Sequence, residues 1–319
     1  MRALLLQEHE GRGCIVLKKS KYFTHTANCS TGPGGDESVG KILFREQCFD
    51  GEGRQVHIFV FLTGEKPFVL GQPGRKFVDG ALGKSGVLVQ WYHDLNPRAL
   101  ATALSQITQD PRKNTIWIIS GCNKHQITDE SAKQIAEFHR RGGGLALWGD
   151  NEPFFEEANR MMKVLNWGEM LGNYIGGQVI GPAHNAGEPG FNASHPILYG
   201  VHKLYEGSTI CSVPDGLLRE GWMEIMRASD KRLLTAYLPP SRTGAVVLHG
   251  AFTQLFCSLG SQGQEIFVTN LGTYTVLRMD DVNDHQSLKR EKLDGKGAPA
   301  CCWIASAFMI AMMRNSRGS

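Results

Sequence analysis

Three short segments carry the residue types that could do chemistry. Ser120-Gly121-Cys122-Asn123 sets a thiol beside a glycine turn, where backbone N–H groups lower a cysteine pKa. Trp148-Gly149-Asp150-Asn151-Glu152-Pro153 sets two carboxylates two positions apart, and His249-Gly250 ends a later apolar run. A carboxylate at Asp150, with Glu152 close by and His249 across a strand, is the composition of a general base or a divalent-metal ligand. No cofactor is expected otherwise. Asp150 and Asn151 also precede Glu152-Pro153 as a helix N-cap would, so a capping role stands beside the chemical one. Cys122 reads first as a small apolar residue in a turn.

These segments need strand ends to hold them, and the flanking pattern supplies strands. His57 to Leu62, Val87 to Trp91, Thr115 to Ile119, Leu145 to Trp148 and Gly244 to His249 are apolar runs of strand length. Helices are expected between them. Asn96-Pro97 opens one over Ala99–Ile107, and Thr128 caps the next, which Gly142-Gly143-Gly144 ends. A third is expected from Pro153 to Leu165 and another from Gln264 to about Leu277. Strands alternating with helices across short loops predict right-handed crossovers and a parallel sheet. In such a sheet, ligands sit at the carboxyl ends of the strands, where all three segments fall.

Outside this core the texture changes. Residues 1–55 form a poorly defined extension, 56–278 the α/β domain, 170–240 a loop-rich insertion, and 279–319 a polar linker with an apolar helix at 300–313. That helix is shorter than the roughly 20 residues that span a bilayer. It is expected as a buried or docking element rather than an anchor. The formal net charge is +3, and the basic run at 289–292 is interrupted by acid, so nucleic acid is not an expected partner. Eight cysteines form no CxxC pair, and the apolar run at the N-terminus is too short for a signal peptide. Reduced thiols in a cytoplasmic setting are expected.

The order of elements resembles the class I glutamine amidotransferase-like superfamily, especially its ThuA-like (trehalose-utilisation) branch. Ile118 to Cys122 is similar to the strand end that leads into Ser-Gly-Gly there. Leu145 to Asn151 is similar to the strand and elbow bearing the nucleophile, and Val246 to His249 to the strand bearing the histidine. Gly142 to Leu147 and His195-Pro196-Ile197 with Gly200 are similar to ThuA-like sequences. The Trp-Gly-Asp-Asn-Glu-Pro string, with Leu204 to Gly207 and Gly250 to Thr253, resembles uncharacterised members. The resemblance covers roughly residues 57–277. It implies a flavodoxin-like parallel sheet flanked by helices, a cleft lined by Gly121, Cys122, Gly149, Asn151, His195, Tyr205 and Glu206, and a sugar-like ligand. The chain departs from the family at the residues that react. Gly149 or Asp150 stands where the elbow cysteine belongs, and His249 is followed by Gly250-Ala251 instead of Pro-Glu. A triad without nucleophile or orienting acid does not run acyl transfer.

The expectation is therefore a catalytically degenerate protein that binds a small polar metabolite or docks on a protein partner. A hydrolase or lyase using Asp150, Glu152 and His249 is the alternative, and a Cys122-dependent hydrolase the second. His195, before a proline, is expected to hydrogen-bond backbone.

Overall fold

The computed structural model describes residues 6–8, 15–17, 54–61, 72–84, 86–93, 95–121 and 127–276. The chain divides into two units, residues 1–40 and 41–319. In the first, β1 (Leu6–Glu8) and β2 (Ile15–Leu17) pair antiparallel.

The second unit is an α/β structure on an eight-stranded, mostly parallel sheet. Five strands run parallel: β3 (Gln55–Val60), β4 (Leu88–His93), β5 (Asn114–Ile119), β6 (Gly144–Trp148) and β14 (Val246–His249). Their spatial order is β4-β3-β5-β6-β14, so the connections leave β3 and β5 in opposite directions. The crevice between the carboxyl ends of such a pair is where open α/β sheets place ligands.

Helices α1 (Gln72–Gly83) and α5 (Gln264–Thr275) cover one face, and α2 (Pro97–Ile107), α3 (Asp129–Arg140) and α4 (Glu156–Val164) the other. Side chains alternate along each strand. Ile58, Trp117 and Trp148 meet α1 and α5, while Phe59, Ile118 and Leu147 meet α2 to α4. Burial on both faces explains why β3, β5 and β6 read as continuous apolar runs. The last turn of α5 lies against the sheet so closely that a Cβ at Gly144 would stand 1.8 Å from the Thr275 carbonyl oxygen.

The two expected caps of α2 and α3 are in place. Asn96 Oδ1 accepts the Ala99 N–H at 3.0 Å, and Thr128 Oγ1 accepts the Ser131 N–H at 3.1 Å. The sheet is not wholly parallel, however. Beyond β14 it continues antiparallel through β13 (Leu233–Leu238), β12 (Met223–Arg227) and β9 (Gly190–Phe191). Residues 170–240 thus extend the sheet. They also form two-stranded pairs, β7 (Leu171–Ile175) with β11 (Thr209–Ser212) and β8 (Val179–Ile180) with β10 (Leu204–Tyr205). No helix among the described residues is long and apolar enough to cross a membrane. The apolar segment 300–313 lies outside the described residues.

Candidate functional site

The turn after β6 holds Asp150 internally. Asp150 is 2% exposed. Its Oδ1 accepts the Asn151 N–H at 2.8 Å and the Thr209 hydroxyl at 3.3 Å, and its Oδ2 accepts the Thr253 N–H at 3.2 Å. One carboxylate thereby ties the turn to β11 and to the segment after β14. Burial pushes Asp150 up to about 6, against the opposing pull of the Asn151 and Thr253 amides.

The helix-cap expectation for this pair is corrected. Helix α4 begins at Glu156 rather than Pro153, and Asp150 and Asn151 are too far upstream to cap it. Its N-terminus is served from another strand: Ser120 Oγ, at the carboxyl end of β5, accepts the N–H groups of Glu157 at 2.9 Å and Ala158 at 3.3 Å.

Nor is the turn built as a nucleophile elbow. Among described residues the only non-glycine positions with positive φ are Asn166 and Lys231, so nothing from Gly149 to Phe155 adopts the strained conformation that presents an elbow nucleophile. Gly149 has no room for one either. A Cβ there would stand 2.6 Å from Met170 Sδ and 3.1 Å from Cys211 Sγ.

His249 is fully buried. Its Nε2–H donates to the Ala251 carbonyl at 3.1 Å, so Nδ1 accepts from the Thr235 hydroxyl at 2.7 Å. The ring sits edge-on to Trp148 at 4.8 Å and near Phe267 on the α5 face. Burial lowers its pKa to about 3, which keeps the imidazole neutral. Glu152 is exposed. No hydrogen bond links Asp150, Glu152 and His249.

The other expected residues are also spent on structure. His195 is fully buried, and its Nδ1 accepts the Ile197 N–H at 3.2 Å, which caps the short 3-10 turn Pro196–Leu198. Burial lowers it to about 3. Glu206 is fully buried, and it accepts from the Gln178 N–H, the Ser229 N–H and the Ser229 hydroxyl at 2.7–3.0 Å. It binds the β8 edge to the turn between β12 and β13. Tyr205 pairs its hydroxyl with Ser208 at 3.0 Å, and Asn151 accepts from Thr209 at 2.7 Å. Cys122 lies outside the described residues.

Sequence reasoning missed Glu157. It is 2% exposed, in the first turn of α4. Its Oε2 accepts the Gly121 N–H at 2.9 Å and the Ser120 hydroxyl at 3.2 Å. Its Oε1 is buried with no partner among the described residues. Burial pushes the carboxyl up to about 7, against the Gly121 amide, its own backbone N–H and the Ser120 hydroxyl, while Glu156 adds to the rise. A signal for it was present. Glu157 shares its helix face with Ala158, Met161 and Met162, all buried, and an acid on an apolar face is a group held for a reason.

Glu157 lines a pocket of about 180 Å³ with Ile127, Arg160 and Lys163 at the carboxyl end of β5, beside the change in strand direction. Among the described residues, no group of three or more His, Cys, Asp and Glu is placed to hold a metal ion. No family model matches the chain, and no curated protein matches it.

Proposed function

We propose that the chain is an amidotransferase-like α/β protein that binds a small polar molecule at the carboxyl edge of its sheet and does not hydrolyse one. The parallel order β4-β3-β5-β6-β14 supports the flavodoxin-like part of that reading, since the strands in chain order stand second, first, third, fourth, fifth. One observation carries the functional part. Both ring nitrogens of His249 are closed by Thr235 and Ala251, so the turn beside it has neither a nucleophile nor a base free to move a proton. Asp150 is committed to three donors for the same structural end. The cytoplasmic setting expected from the scattered cysteines belongs to this reading too.

The experiment pairs two panels on the purified protein. Amide, ester and glycoside substrates should give no turnover above background. Among small metabolites, at least one should raise the melting temperature, since a ligand at a hundred times its Kd adds about 2.7 kcal/mol. Turnover that Asp150→Asn abolishes would overturn the proposal and restore Asp150 as a catalytic group.

A further inference from the structure

Glu157 and Arg160 stand one helical turn apart on α4, and each holds one buried polar atom that no group among the described residues meets. For Glu157 it is Oε1, and for Arg160 it is Nε. The other oxygen of Glu157 and one terminal nitrogen of Arg160 are engaged. Glu157 Oε2 accepts from Gly121 and Ser120, and Arg160 pairs its Nη2 with Asp129 on α3. Both residues line the 180 Å³ pocket. Buried polar groups are nearly always hydrogen-bonded, so two orphans in one pocket mark a partner that the described residues do not supply.

The chemistry of that partner follows from lone-pair accounting. Oε2 already accepts two hydrogen bonds, which leaves Oε1 as the site of the acid proton. With that proton in place, Oε1–H and Arg160 Nε–H are two donors in one pocket, and an acceptor with two oxygens answers both. Its charge follows from the surroundings. Among the described residues, the charged groups nearby are Glu156, Arg160 and Lys163 on α4, Asp129 on α3, and Glu169 beyond α4. Lys163 and Glu169 are exposed and opposite in sign, and Asp129 is 82% exposed, so solvent screens them. The inner pair is then one neutral acid and one guanidinium, which suits a single negative charge better than two.

We propose that this pocket binds a small monocarboxylate, which accepts from Glu157 Oε1–H and Arg160 Nε–H. The size fits a molecule of about six heavy atoms, since an apolar cavity of roughly 150 Å³ accepts benzene. The proposal rests on the binding reading above and names its site and ligand class. Because the pocket takes the acid form of Glu157, binding draws a proton onto this residue, and the raised pKa makes that cheap near neutrality.

Calorimetric titration of the whole chain with L-lactate tests it. Wild type should bind about tenfold more tightly at pH 6 than at pH 8, the ratio expected when the acid form of a group titrating near 7 is the one that binds. Glu157→Gln should bind with no such dependence, because its amide oxygen takes over the bonds from Gly121 and Ser120 while its NH₂ still donates. Arg160→Met should bind at least tenfold more weakly at both pH values. Addition of lactate should shift the amide resonances of Gly121 and Ala158 in wild type, a readout independent of any variant's folding. Absence of lactate binding, a tenfold pH ratio retained in Glu157→Gln, or unchanged affinity in Arg160→Met would overturn the proposal. Failure here is distinct from failure of the binding reading. If another metabolite stabilises the protein and lactate does not, only the carboxylate site falls, whereas turnover dependent on Asp150 removes the reading itself.

Discussion

Three strand ends lie side by side at the carboxyl edge of the sheet, and they are put to two opposite uses. At the end of β6, Asp150 is closed by Asn151, Thr209 and Thr253, and at the end of the neighbouring β14, His249 is closed by Thr235 and Ala251. At the end of β5, Ser120 and Gly121 hold only one oxygen of Glu157 and leave the other open. The residues with the more familiar catalytic composition are the saturated ones. Residue type suggests what a group can do, and the count of unfilled hydrogen-bond positions decides whether it is available.

The contrast can be broken most severely at His249. His249→Ala removes a buried ring and orphans the Thr235 hydroxyl, so we expect a loss of about 4 kcal/mol in urea unfolding. A loss below about 1 kcal/mol would mean that the ring is not the structural element described.

Acid comes next. His139, His195 and His249 are depressed to about 4, 3 and 3 by burial, so the stability they contribute is present above 6.5 and is lost as pH falls toward those values. Asp150 and Glu157 are raised, to about 6 and 7, so their contribution runs the other way. It is complete below their unfolded values and is lost as pH rises through the folded ones. Between pH 7 and 4.5 the histidines prevail, and a net loss on the order of 3 kcal/mol is expected in chemical denaturation. Rising stability over that interval would contradict the burial of the three rings.

Asp150 then separates structure from charge. Asp150→Ala orphans the Asn151 and Thr253 backbone N–H groups, at about 2–3 kcal/mol. Asp150→Asn keeps an acceptor and avoids the buried charge, so it should cost less than about 1 kcal/mol at pH 8. Equal losses for the two variants would argue for a role of the charge itself. The last effect has the opposite sign. Glu157→Gln should stabilise the protein by about 1–2 kcal/mol at pH 8 and not at pH 5, because Gln is spared the penalty for burying the ionised form. Thermal unfolding at the two pH values reads this directly.

Much of the scaffold was legible in the sequence. The cores of β3, β5 and β6 stand as apolar runs because both faces of each are buried, and Asn96 and Thr128 announce their caps by type and position. Helix α1 was not legible, since Gly74, Gly80 and Gly83 with Arg75, Lys76 and Asp79 mask its apolar side. The antiparallel β12 and β13 were hidden by the glycine and proline around them. The site was less legible than the fold. Thr209 and Thr253 lie 59 and 103 residues from Asp150, and no local pattern announces such partners. The start of α4 was misplaced for the same reason, because its cap comes from Ser120, 37 residues earlier.

The most direct measurement is a side-by-side thermal-shift series on wild type, Asp150→Asn and Glu157→Ala, run with the same metabolite panel at pH 6. The account predicts that a metabolite raising the wild-type melting temperature raises that of Asp150→Asn equally and leaves Glu157→Ala unmoved. A response that survives in Glu157→Ala and vanishes in Asp150→Asn would place the working site at the turn after β6 and contradict the division of roles drawn here.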